Sequence, residues 1–300
     1  MTSLYTQQDK NVYKTWALFA GFLIVVIGVG WAFSYILDNQ VILYVAVIFS
    51  LVMNFISYWF SDRIILRISG ARPATKEEFW DLYTLTENLA IAAGLPMPGL
   101  YVIEDSAPNA FATGRNPENA VVAVTTGLLR RLERSELEGV VAHELAHVGN
   151  RDILISTIAV TLVGFVAILS DLFFRFMLFG GLQGGGDRGG GWVKIVLFAV
   201  GIALMILAPI VASVIHMAIS RRREFQADAT AALLTRYPAG LIGALEKISQ
   251  NREPVEKASN ATAHLYIVNP FGAKKEKGFH RFFMTHPPVE ERIKALRGQK

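Results

Sequence analysis

The chain has 300 residues, no cysteine and a formal net charge of +4; 52% of its residues are hydrophobic and the mean hydropathy is +0.37. That is too apolar for an ordinary soluble domain, and without cysteine there is neither a disulfide framework nor a thiolate ligand. The basic residues border apolar runs instead of forming a patch, which suits an anionic membrane leaflet and does not suggest nucleic acid as a partner.

Four stretches free of Asp, Glu, Lys and Arg account for the apolar excess: Thr15–Leu37, Asn39–Ser61, Ile153–Ser170 and Ile195–Ser220. Each is long enough to cross a hydrocarbon layer of about 30 Å as a helix. Residues 1–14 read as a polar, mobile lead. The first apolar run is too long for a signal peptide and lacks a clean small-residue cleavage pattern, so it is expected to stay as an anchor. It forms a helical hairpin with the second run around Asp38-Asn39-Gln40. Lys10 and Lys14 precede the first span, Arg63, Arg67 and Arg72 follow the second, and Arg221, Arg222 and Arg223 follow the fourth. The outer loops hold little, Asp38-Asn39-Gln40 and a glycine-rich turn with Arg188 and Lys194, so the positive-inside rule puts both termini and the helix carrying His143 and His147 on the cytoplasmic side. Arg63–Arg72 is expected to run along the membrane surface with its arginines snorkelling, as a simple anchor.

Thr75-Lys76-Glu77-Glu78 has the pattern of a capping box, opening a helix that runs to about Ala93 and stops at Gly94. Pro96-Met97-Pro98 breaks the chain before a short strand, Leu100–Glu104. Asn109–Gly114 and Ala120–Thr126 then flank the turn-rich Arg115-Asn116-Pro117-Glu118-Asn119 as a hairpin. Asn109, Ala110, Phe111 and Ala112 are small apart from the phenylalanine. They form either an edge strand along which an extended peptide can pair, or an ordinary edge strand with Phe111 in the core.

The stretch with the clearest chemistry is His143-Glu144-Leu145-Ala146-His147. Histidines four apart share one helix face and can reach one ion, and the glutamate between them can take the proton of a water held there. Ser135-Glu136-Leu137-Glu138 is expected to cap this helix, with Ser135 as the cap. Leu137, Val140, Val141, Leu145 and Val148 follow at helical spacing, which leaves Glu144 on an otherwise apolar face where an idle carboxylate would be costly.

The third span begins within six residues of His147. Asp171 and Arg175 near its far end are expected to pair, and Pro209 to kink the fourth span. The glycine-rich stretch Gly184–Gly191 lacks the residues of a phosphate loop and is assigned no ligand.

Two histidines leave a catalytic zinc one protein ligand short. The extension that supplies a third histidine is absent, since Asn150 and Ile153 stand at its positions. The best carboxylate is Glu224, where the fourth span emerges on the same side as the pentad; Asp228, one helical turn on, can hold the far nitrogen of a ligand histidine. The alternative is that Glu224 pairs with the arginines beside it.

Taken in order, the Asn109–Ala112 segment, the pentad, Glu224-Phe225-Gln226-Ala227-Asp228, and Thr285-His286-Pro287-Pro288 followed by Glu291-Arg292-Ile293 closely resemble the HtpX-type bacterial membrane zinc metalloproteases, relatives of the CAAX prenyl endopeptidases. The resemblance extends over nearly the whole chain. It implies an α+β membrane protein: four transmembrane helices plus a cytoplasmic, mainly helical zincin (gluzincin-like) domain with a small β-sheet. It implies one Zn2+ per chain bound by His143, His147 and Glu224, with Glu144 as acid/base. It also implies cleavage of membrane or misfolded proteins in envelope quality control at the cytoplasmic membrane. A donor for the developing oxyanion is required besides the metal, and His286 or Arg292 could supply it; a structural cap or a carboxylate partnership is the alternative for each.

Of the other histidines, His216 is expected to bond a neighbouring helix or face the cleft, while His264 and His280 sit in polar sequence and are expected to be solvated. The organisation expected is 1–61 as lead and first hairpin, 62–152 as the half with sheet and metal helix, 153–220 as the second hairpin, and 221–300 as the half with the third ligand. Residues 251–277 carry no inference. Four spans speak against a CAAX endopeptidase, and a pentad outside the spans speaks against an intramembrane site-2-type protease. A metal-binding transporter or scaffold has no need of Glu144.

Overall fold

A computed structural model of the chain describes residues 4–36, 38–162, 164–165, 201, 221–251, 253–259, 262–272 and 287–298. The far part of the third span, the fourth span, the glycine-rich stretch, Asp171, Arg175, Pro209, His216, His280 and His286 lie outside the described residues. What is described is mainly helical, with one small sheet.

Helices α1 (Leu4–Ile36) and α2 (Val41–Ile68) pack side by side. Both are long and apolar enough to cross a membrane, and they expose Trp16, Ile24, Trp31, Val45, Ile48 and Phe55. Such faces suit an apolar surrounding. The side chain of Asn54 in α2 donates to the carbonyl of Phe19 in α1 at 3.3 Å, and Gly30 lies so close to Ala46 that it has no room for a side chain.

Two expectations for this region are corrected. The lead is not loose: α1 begins at Leu4, and Asn11 and Thr15 are buried. Nor does Arg63–Arg72 lie along a membrane surface. Helix α2 continues unbroken to Ile68 because Ile65 and Leu66 find apolar partners ahead, in a cluster with Ile103, Phe111 and Tyr266. The chain then turns at Gly70 (φ +67) into strand β1 (Ala71–Pro73), which the sequence did not suggest.

Strands β2 (Gly99–Ile103), β3 (Ala110–Thr113) and β4 (Val121–Thr125) complete a sheet in the order β1-β2-β4-β3. β2 and β4 are parallel; the β1–β2 and β3–β4 pairs are antiparallel, the latter being the expected hairpin, with Phe111 opposite Ala123. Helix α3 (Trp80–Ala93) ends at Gly94 (φ 65), as expected. Only half of its capping box forms. Thr75 Oγ1 accepts from the Glu78 amide at 3.4 Å, but the Glu78 carboxylate turns to Arg72, and the helix starts later, at Trp80.

Helix α4 (Thr126–Arg131) leads into α5 (Arg134–Gly149), the helix of the pentad. Its cap is Glu133, not Ser135: Glu133 and Glu136 form the reciprocal box, with Glu136 accepting from the Glu133 amide at 2.8 Å. Lys247, from helix α8 (Pro238–Ser249), donates to the same carboxylate at 2.7 Å and holds it in place. Helix α6 (Asp152–Leu162) follows, then α7 (Arg221–Thr235) and, last, α9 (Val289–Leu296). The core lies between the sheet and α3, α5 and α8, where Leu82, Leu85, Val122, Val140, Leu145, Leu241 and Leu245 are buried.

Helices α5 and α8 approach through glycine. A Cβ on Gly139 would lie 2.6 Å from the backbone nitrogen of Leu241. Gly139→Ala is therefore expected to destabilise the protein by about 1–3 kcal/mol, the usual cost of overpacking a close contact. A chemical-denaturation midpoint equal to wild type would show that the two helices can separate at no cost.

Candidate metal centre

The site is built on α5, which is buried on nearly every side; His143 and Glu144 are almost fully buried and His147 is partly exposed. The i, i+4 spacing stacks the two imidazoles edge to face, with centroids 4.7 Å apart and Nε2 atoms 3.2 Å apart. Two ligands each about 2.0–2.1 Å from one tetrahedral zinc sit about 3.4 Å apart, so this spacing fits a shared ion. Glu224 enters from α7. Its Oε1 is 3.5 Å from His147 Nε2 and its Oε2 is 3.8 Å from His143 Nε2. One ligand atom from each of the three residues lies within 4.8 Å of the others, two nitrogens and a carboxylate oxygen that could hold a metal ion.

Each histidine turns its other nitrogen to a carboxylate. His143 Nδ1 is 2.9 Å from Asp228 Oδ1, and His147 Nδ1 is 3.1 Å from Asp152 Oδ2. With Nδ1–H donated in this way, Nε2 keeps its lone pair facing the cluster. Asp228 stands where helical continuation from Glu224 puts it. Asp152 was not singled out in the sequence, since it lies at the boundary drawn between the metal helix and the third span. It reaches His147 because Arg151 adopts a left-handed conformation (φ 57) that ends α5 and turns α6 back towards the site. A strained non-glycine residue beside functional groups is the only local signal, and spacing does not reveal it.

Arg292 of α9 is fully buried. Its Nε and Nη2 donate to the two oxygens of Asp228 at 2.8 and 2.7 Å, and Nη1 donates to the Ile267 carbonyl at 2.8 Å. Of the two roles left open for Arg292, these bonds belong to the carboxylate partnership; Nη1 also lies 3.9 Å from Glu224 Oε2 and Nη2 3.5 Å from His143 Nε2. His264, expected in solvent, is instead buried in a short turn (Ala263–Leu265) ahead of Tyr266, which packs edge to face on Phe111 at 5.2 Å. The 264–268 segment thus supports the site from outside the motifs. Ile267 accepts from Arg292 and donates to the Ala110 carbonyl at 3.0 Å, while Val268 accepts from the Asn109 side chain at 3.0 Å. Phe111 is in the core, and the outer edge of β3 is partly taken by the chain itself.

Burial pushes both imidazoles down. His143 follows, to about 4, because Arg292 opposes a second positive charge and Asp228 only partly offsets burial. For His147 the bond to Asp152 and the charge of Glu224 outweigh burial and raise it to about 9. Burial pushes Asp228 up, yet Arg292 overcomes this and holds it at about 2. Without a metal, the cluster therefore keeps a proton where its carboxylates call for a cation.

Two outcomes follow from these contacts. A metal ion must displace the His147 proton, so below about pH 9 apparent affinity should fall as pH falls, by up to about tenfold per unit. Chelator competition at about pH 6 and about pH 8 checks this, and equal affinities would contradict it. Arg292→Ala leaves Asp228 charged and buried without its partner, at an expected cost of about 3–5 kcal/mol in chemical denaturation. A wild-type midpoint for that variant would show that the pair holds nothing together.

Residues 76–300 match peptidase family M48. The chain is 43% identical to the protease HtpX homolog of Thermoanaerobacter pseudethanolicus over 98% of this chain and 97% of that one. It is 40% identical to the protease HtpX homolog of Streptococcus gordonii over 98% and 99%, and 46% identical to that of Thermococcus sibiricus over 89% of each. Among solved structures, the crystal structure of S. mikatae Ste24p aligns with 99% of this chain at 20% identity and a TM-score of 0.44. This chain spans 66% of that protein, just under two thirds of its length.

Proposed function

This chain belongs to peptidase family M48 and is a membrane-associated metalloprotease, a hydrolase of peptide bonds; from that premise we propose that it is a zinc endopeptidase of the cytoplasmic membrane that cleaves membrane proteins in quality control. The observation that carries the reading is the convergence of His143, His147 and Glu224, from helices on either side of the second apolar pair, within 4.8 Å of one another. His143, His147 and Glu224 would hold the ion. Two imidazoles and one carboxylate, with no sulfur, favour zinc with an open position for chemistry.

A zinc ion held by His143, His147 and Glu224 would supply Lewis acidity to water and to the scissile carbonyl. Glu144, on the same helix and almost fully buried, lies within electrostatic reach of His147. It takes the proton from the attacking water and returns it to the leaving nitrogen as the C–N bond breaks. Asp228, gripped by Arg292, and Asp152 keep the two imidazoles turned so that Nε2 faces the centre. We assign Arg292 to that task and not to the oxyanion; His286 remains the candidate donor for it.

Substrate is taken as an extended chain alongside β3, on the part of the Asn109–Ala112 edge (Asn109, Ala110, Phe111, Ala112) that the bonds from Ile267 to Ala110 and from Asn109 to Val268 leave open, because α5 packs next to this strand at the sheet edge. Backbone pairing there accepts many sequences, as degradation of misfolded proteins requires. The cytoplasmic orientation of the site and both termini is supported by Lys10, Lys14, Arg63 and Arg221–Arg223 at the inner ends of the apolar runs.

Glu144→Gln should keep the metal at wild-type stoichiometry and lose proteolysis by at least about a hundredfold, the lower bound for removing a positioned acid/base. Purified protein with its metal counted and its cleavage of a membrane-protein substrate followed checks both halves. Retained turnover by the metal-loaded variant removes Glu144 from the mechanism.

A further inference from the structure

We propose that Asn11, in the first membrane helix, is a positioning residue for His147, so that α1 completes the metal centre; this rests on the reading of His147 as a metal ligand. Asn11 is buried, four residues ahead of the apolar run of α1, and more than a hundred residues before every residue of the metal centre. Both of its amide protons are engaged. Nδ2 donates to Asp152 Oδ1 at 2.7 Å and to the Asn150 carbonyl at 3.0 Å. The other oxygen of Asp152 is the one 3.1 Å from His147 Nδ1. Arg223, beside Glu224 in α7, approaches Asp152 Oδ1 at 3.5 Å. One carboxylate thus joins the first helix, the ligand histidine and the helix of the third ligand.

The geometry has a specific consequence. A carboxylate with two oxygens free to rotate holds an imidazole loosely; fixing Oδ1 aims Oδ2. Asn11 can do this because α1 is itself fixed against α6. Leu18 packs with Ile155 and Ala159, and Phe19 packs with Leu154, Ile158 and Leu162. The Asn11 carbonyl also accepts from Thr15 Oγ1 at 2.9 Å. Movement of α1 in the bilayer would then register at His147, because the link is two hydrogen bonds long.

The bland reading is that Asn11 only ties α1 to the α5–α6 turn. Asn54 is the matched control, since its side chain also bonds a backbone carbonyl between α1 and α2 and, among the described residues, donates to the Phe19 carbonyl and not to Asp152 or His147. The experiment uses full-length protein in detergent, with zinc affinity read by chelator competition and the Tm read on the metal-free form. Asn11→Ala is expected to weaken zinc by about tenfold, the lower end of what losing an outer hydrogen bond to a ligand histidine costs. Asn54→Ala should lower Tm comparably and leave zinc affinity at the wild-type value. In an Asp152→Ala background, Asn11→Ala should have no further effect on zinc. If alanine prevents folding, Asn11→Leu, close in size and compatible with an apolar helix, supplies the same comparison. Wild-type affinity in the Asn11 variants, equal losses in the Asn11 and Asn54 variants, or an undiminished effect without Asp152 would each overturn the proposal. A wild-type chain that binds no zinc would sink the metal reading beneath it instead, and this proposal along with it.

Discussion

Everything in this structure turns on keeping two imidazoles aimed at one point inside a buried region. A histidine is a ligand only while its other nitrogen is held, and here each Nδ1 is held by a carboxylate that is itself held. Asp228 is gripped on both oxygens by Arg292, which in turn rests on the Ile267 carbonyl. Asp152 is met by Asn11 and Arg223. The carboxylates gathered here would repel one another in a low dielectric without compensating positive charge. Arg292 and Arg223 supply part of it, and a divalent cation held by His143, His147 and Glu224 would supply more.

The parts of this arrangement that could be read in advance are those set by helical periodicity. His143 and His147, or Glu224 and Asp228, are one turn apart, so a single sequence announces that each pair shares a face. Gly94 and the β3–β4 hairpin were legible for equally local reasons, a left-handed stop and a turn-rich loop. What was missed depends on tertiary contact. Asp152 and Asn11 stand among other polar residues with no periodic pattern to single them out, and the bond between them spans 141 positions of the chain. The helix cap shifted from Ser135 to Glu133 because Lys247, more than a hundred residues on, pins Glu136. Arg63–Arg72 looked like an interfacial segment because its apolar residues had no visible partner; Ile103, Phe111 and Tyr266 provide one. For the same reason residues 264–268 seemed uninformative, although they buttress Arg292 and the edge of β3.

These contacts also explain why the soluble and membrane parts are one structure. Helix α2 passes from its apolar stretch straight into the core of the sheet domain. The end of β3 is bonded to α6 through Thr113 and Thr157, whose hydroxyls are 2.9 Å apart, and Arg115 in the hairpin sits over the ring of Trp59 in α2 at 4.6 Å. The strand proposed to receive substrate is therefore anchored to α6, and its hairpin to α2, at its far end. A peptide bond presented there is held close to the bilayer, which suits a membrane-associated protease better than a freely diffusing one.

The most direct test of the central claim is zinc X-ray absorption spectroscopy of the purified full-length protein, beside His143→Ala and Glu224→Ala variants. The account predicts one zinc with two imidazoles at about 2.0–2.1 Å and oxygen completing the shell. It also predicts loss of one imidazole, with weakened binding, in the first variant, and loss of an oxygen ligand in the second. Zinc held by the wild type with an imidazole count that His143→Ala leaves unchanged would contradict it.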